Sequence, residues 1–183
     1  MELERPEFRQ LCVTQLERAN NTTDAMARLS ILAQFNCPEQ IAALAAFIEK
    51  WRDEPLVVDK WLMMQSTSRL PTTLAEVKRL CGHEAVDIRN PNKVYALIRA
   101  FCANHLHFHA ADGSGYAFGA ARVIELDALN PQVASRVARS FDRWRRFDAG
   151  RQAHAKRALE QIRRTAGLSR DVSEIVTKAL FES

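Results

Sequence analysis

Three segments of the chain hold side chains that could ligate a metal or move a proton. Cys81-Gly82-His83-Glu84 leads into HEAVD, the first half of a zinc-protease motif. That motif needs a second histidine four residues after the first, on the same helical face, so that the metal sits beside the glutamate base. Asp87 stands there instead, and Gly82 before it and Asn90-Pro91 after it leave no room for a long helix. A polar loop between helices is the expectation. His105, His107 and His109 alternate in NHLHFHA, and would converge on a metal only in a strand, where alternate residues share a face. The apolar run before them is helical, and histidines beside a helix C-terminus account for the spacing. Asp112 to Gly115 (DGSG) is too short for a phosphate-binding loop and lacks the following lysine. It reads as a tight turn that uses the freedom of Gly113 and Gly115, with Asp112 or Ser114 capping a helix that starts near Tyr116. No catalytic residue and no metal ligand is assigned.

The basic residues are concentrated. From Arg136 to Arg164 there are nine arginines and Lys156 against Asp142, Asp148 and Glu160, whereas the whole chain carries only +4. Arg136, Arg139, Arg143 and Arg146 form one helical stripe, and Val133, Val137, Phe141 and Trp144 form a second that would pack inward. A cationic stripe can neutralise phosphates. Here no exposed aromatics interleave to stack bases, and the surrounding helices carry acids, so no nucleic-acid partner is expected.

The elements that must position these residues are helical. A length of 183 residues, 47% of them hydrophobic and 26% charged, suits one domain with a substantial core. Six glycines and six prolines leave little linker, so one compact unit is expected. No window approaches eighteen apolar residues and MELERPEFRQ is not a signal peptide, which argues for a cytoplasmic protein with no membrane partner. Cys12, Cys37, Cys81 and Cys102 are scattered, and at least Cys12 and Cys102 fall on apolar helical faces, so packed thiols are expected rather than disulfides. Phe8, Leu11, Cys12, Leu16 and Ala19 make one stripe; Ile41, Leu44, Ala45 and Ile48 another; Val94, Leu97, Ile98, Phe101 and Cys102 a third. Pro38, Pro91 and Pro131 suit first helical turns, with Asn90 and Asn130 as caps; Asp148 and Ser169 cap the last two helices. Thr73 and Glu76 fit a capping box. About ten helices joined by short connections predict an all-α fold of about five antiparallel pairs stacked as an α-solenoid, with an irregular bundle as the alternative.

Five strings carry more than helical pattern: NNTTDAMA (Asn20 to Ala27), VVDKW (Val57 to Trp61), RNPNKVYALI (Arg89 to Ile98), FHAADGSGY (Phe108 to Tyr116) and NPQVASR (Asn130 to Arg136). Together they resemble the C-terminal helical domain of the aminopeptidase N family, zinc peptidases of the M1 group, from about Asn20 to the last residue. The resemblance implies a superhelix of helix pairs of the HEAT or armadillo type. It also implies that residues 1–183 are a single C-terminal domain of a larger enzyme that removes N-terminal amino acids from peptides. The parent's zinc and its catalytic motifs would lie in other domains, so this chain holds no cofactor and is expected to be inactive alone. Its partners would be that catalytic domain, over which it closes, and the peptide admitted to the enclosed cavity.

Two site residues follow from the resemblance. Arg136, which ends NPQVASR, would reach toward the cavity, or else bridge helices or domains. Tyr95 stands where the family often has a second basic residue, so stacking or hydroxyl hydrogen bonding would replace charge there. The alternative to all of this is a free-standing helical-repeat scaffold that binds a protein or peptide in its concave face.

Overall fold

A computed structural model describes residues 5–181, and among them every regular element is helical. The elements are α1 (Pro6–Glu17), α2 (Thr22–Leu32), α3 (Pro38–Trp51), α4 (Pro55–Ser66) and α5 (Thr73–Leu80). One continuous helix follows, made of α6 (Pro91–Val94), a π-helical turn (Tyr95–Arg99) and α7 (Ala100–Cys102). After the short α8 (His105–Phe108) come α9 (Ser114–Asp127), α10 (Pro131–Ala138), α11 (Ala149–Arg163) and α12 (Arg170–Phe181).

Successive helices pack as five pairs: α1 on α2, α3 on α4, α5 on the α6–α7 helix, α9 on α10, and α11 on α12. This is the solenoid expected from the helix lengths, with α8 inserted as a link. The second member of each pair forms one layer and the first member the other. In the middle of the stack the layers differ. Helix α4 packs along the whole π turn, whereas α3 barely meets α5 and α5 barely meets α9. Clefts of about 460 and 540 Å³ occupy those two gaps. In the middle of the stack, the layer of α4, α6–α7 and α10 is thus the more closely packed of the two.

Local chemistry sets the helix starts. Asn21, Asn90, Asn130 and Asp148 each accept a backbone N–H of the first turn through the side chain. Ser169 Oγ accepts from Val172 N at 3.3 Å, as its position predicted. Asp127 in turn accepts from the Ser169 N–H at 2.8 Å and from its hydroxyl, so the start of α12 is tied to the end of α9. The capping box at Thr73 and Glu76 does not form. Thr73 lies inside α5, fully packed, and its hydroxyl donates to Ser68 O at 3.2 Å, while Glu76 pairs with Arg79.

All five apolar residues of the α6–α7 stripe are buried, as are Val133, Val137, Phe141 and Trp144. The backbone under the second set is not one helix. After Ala138 it tightens into 3-10 turns at Arg139–Phe141 and Trp144–Arg146. All four cysteines are free thiols, with Cys12, Cys37 and Cys102 buried; burial pushes Cys102 up to about 12. No described helix is long and apolar enough to cross a membrane.

The DGSG turn is held by contact as well as by conformation. Gly113 has φ 74°, and Asp112 Oδ1 accepts from Ser114 N at 2.9 Å. At Gly115 the backbone of α8 comes so close that a Cβ would stand 2.3 Å from His107 O and 2.5 Å from Phe108 O. Neither atom can yield without moving a helix. Gly115→Ala is therefore expected to destabilise the chain by about 1 to 3 kcal/mol, as overpacking a rigid contact does. A urea midpoint equal to that of the parent protein would show that α8 shifts freely.

Candidate substrate-facing site

Helix α10 presents two opposed faces. Val133, Ala134, Val137 and Ala138 turn inward against α9 and α12, which leaves Arg136 exposed on the other side. Tyr95 opens the π turn, where Ala96, Leu97 and Ile98 are buried and Tyr95 itself is half-buried. The fold brings the two together across 41 residues: Arg136 Nη1 donates to Tyr95 Oη at 2.9 Å, and the guanidinium carbon lies 5.8 Å from the ring centroid. Among the described residues no carboxylate pairs with Arg136, so its charge is met only by a phenol and its ring.

Lys93, two residues before Tyr95, belongs to a buried ion pair that the sequence pattern did not reveal. Lys93 Nζ donates to Asp59 Oδ1 at 2.7 Å and to Pro55 O at 3.2 Å, and both charged side chains are largely shielded from water. The VVDKW and RNPNKVYALI strings thus meet at this contact. Their separation of 34 residues left no periodic signal to find it by.

The other candidates have structural partners. His83 Nδ1 accepts from Ala85 N at 3.1 Å in the loop after α5, and its ring packs on Trp61. His105, His107 and His109 lie on and just beyond α8, and among the described residues no three His, Cys, Asp or Glu side chains gather as a metal would require.

His109 belongs to an aromatic core. Its Nδ1 lies 2.8 Å from Tyr116 Oη and its ring stacks on Phe147 at 3.8 Å. Burial, aided by His105 and Arg151, lowers His109 to about 4, and burial raises Tyr116 to about 12. The imidazole is neutral at neutral pH and shares a hydrogen bond with the phenol. A folded value below the ordinary 6.5 means that the unfolded chain binds the proton first. The contribution of His109 is thus complete above about pH 6.5 and falls away toward pH 4. His109→Phe is expected to flatten that part of the stability profile, and an unchanged profile would remove His109 as its source.

Much of the basic run is also structural. Arg145 donates to Ala179 O at 2.7 Å, and Arg151 donates to His109 O at 2.6 Å and pairs with Asp148. Because the 3-10 turns interrupt the helix, Arg136, Arg139, Arg143 and Arg146 do not form one continuous helical stripe, although all four are exposed.

Residues 1–181 match the model of a family described as a domain of unknown function (DUF3458_C) built of ARM repeats. The chain belongs to this ARM-repeat family. The ARM-repeat domain is 41% identical to aminopeptidase N of Escherichia coli strain K12 over 167 residues, covering 91% of this chain and 19% of the relative. It is 36% identical to aminopeptidase N of Haemophilus influenzae, covering 94% of this chain and 22% of that protein. The crystal structure of Legionella pneumophila aminopeptidase A in complex with aspartic acid superimposes with a TM-score of 0.90 at 34% identity, covering 95% of this chain and 21% of that one. The ARM-repeat domain spans about a fifth of the length of these relatives and is homologous to a domain of an aminopeptidase.

Proposed function

We propose that this ARM-repeat domain closes over the catalytic domain of a cytoplasmic, zinc-dependent aminopeptidase of the M1 group and shapes the cavity through which peptides reach it. The observation that carries this reading is the Arg136–Tyr95 contact. It is a guanidinium with no carboxylate partner among the described residues, exposed on α10 and oriented by a phenol from another helix pair. One N–H goes to Tyr95, and the donors that remain can meet a peptide carboxylate or main-chain carbonyls, which are stronger partners in a partly dry cavity than in water. Bond cleavage, the zinc and its ligands belong to the catalytic domain, and this chain supplies enclosure and selection. The homology to a fifth of an aminopeptidase supports a domain that works beside others.

The test is direct binding. The chain is mixed with the fragment of E. coli aminopeptidase N that lacks the matching segment, and complex formation is followed by sedimentation. A stoichiometric complex is expected. A chain that ignores the fragment yet binds peptides would instead be the free-standing scaffold.

A further inference from the structure

We propose that the buried Lys93–Asp59 pair is a positioning device that sets the height of Tyr95 and, through it, the pose of the Arg136 guanidinium. The inference rests on reading Arg136 and Tyr95 as the substrate-facing pair. It deepens that reading by naming what holds them.

The geometry is a clamp across two helices. Pro55 and Asp59 lie in the first turns of α4, and the Lys93 ammonium donates to both from α6, at 3.2 and 2.7 Å. Two residues later the chain enters the π turn at Tyr95. A π turn is wider than an α turn and uses poorer backbone geometry, so it persists where surrounding contacts over-determine it, and such turns concentrate at functional sites. On the C-terminal side the turn is gripped by the buried Leu97 and Ile98; on the N-terminal side the grip comes from Val94 and the Lys93 clamp. Tyr95 follows Lys93 by two residues, and its hydroxyl is the only side-chain hydrogen-bond partner of Arg136 among the described residues. A shift of α6 along α4 would move the phenol and leave the guanidinium without its guide.

A merely structural pair would stabilise the helices without governing the phenol. Packing apolar residues in place of a buried ion pair often preserves stability, so Lys93→Met with Asp59→Leu separates the two roles. The chain has only two tyrosines, and Tyr116 is fully buried against Phe108 and His109, so ring-labelled tyrosine gives two carbon resonances in distinct environments. Arg136→Gln assigns the Tyr95 signal and marks its position without the guanidinium.

In the double variant the Tyr95 resonance is expected to move to that position while Tyr116 stays in place. Lys93→Arg, which keeps the charge pair, is expected to hold Tyr95 near its native shift. A folded double variant with both tyrosine signals unmoved overturns the proposal. Should the double variant unfold, Asp59→Asn keeps the shape and removes the charge: a partial shift of Tyr95 supports the clamp and an unmoved signal overturns it. The measurement uses the chain without catalytic fragment or peptide, so its outcome is independent of whether the domain shapes peptide access.

Discussion

Replacing Trp144 by alanine is expected to lower the stability of the chain by about 3 to 5 kcal/mol, the usual range for emptying a large aromatic from a closed core. Trp144 is 6% exposed, lies in a 3-10 turn, and spans the gap between the end of α10 and α12. Its Nε1 donates to Ala179 O at 2.9 Å, so truncation removes both the ring volume and a buried hydrogen bond. The Arg145 guanidinium, 4.7 Å from the ring centroid, loses its platform as well. Urea unfolding reads this as a lower midpoint at constant slope. A loss below about 1 kcal/mol would mean that α12 does not depend on this anchor.

Arg136→Ala is expected to do the opposite: little to stability and much to turnover. The side chain is exposed and, among the described residues, bonds only to Tyr95, so the stability of the variant should match that of the parent protein within about 0.5 kcal/mol. In the reconstituted enzyme, a lost charge-assisted hydrogen bond of about 1.5 to 3 kcal/mol corresponds to roughly a ten- to hundredfold fall in kcat/KM on peptides. Unaltered kinetics on several peptides, with the complex intact, would remove Arg136 from the substrate path and leave it as a bridge between helix pairs.

The helices and most of their starts were legible because their causes are local. Asn90-Pro91 and Asn130-Pro131 place a side-chain acceptor beside a residue that has no N–H to lose, and both helices begin there. Thr73 deceived because the helix begins one residue earlier than the pattern suggests: Thr72 is the capping residue, and Thr73, the first helical residue, donates its hydroxyl to Ser68 O, five residues back. The stripe through Val133, Val137, Phe141 and Trp144 was read correctly for the wrong backbone. Spacings of four, four and three suit an α-helix, but a 3-10 turn repeats every three residues and keeps the same side chains inward. Hydrophobic periodicity therefore located these four core residues and concealed the break, whereas on α1 and α3 it misplaced the buried face, since Phe8, Leu11 and Ile41 are exposed.

The site was less legible. Arg136 and Tyr95 were singled out through likeness to a family, and nothing in their spacing of 41 residues announces that they touch. The Lys93–Asp59 pair was missed for the same reason, since side chains on separate helices share no period. Gly115 reads as a turn residue but lies in the first turn of α9 without a positive φ, and the carbonyls of His107 and Phe108 that exclude any side chain there come from tertiary packing.

The most direct measurement is hydrolysis of an alanine anilide with zinc present, by this chain alone, by the E. coli catalytic fragment alone, and by the two mixed. The account predicts no turnover by the chain and turnover by the mixture well above that of the fragment. Equal rates with and without the chain, or cleavage by the chain itself, would contradict a domain that completes an aminopeptidase by closing over it.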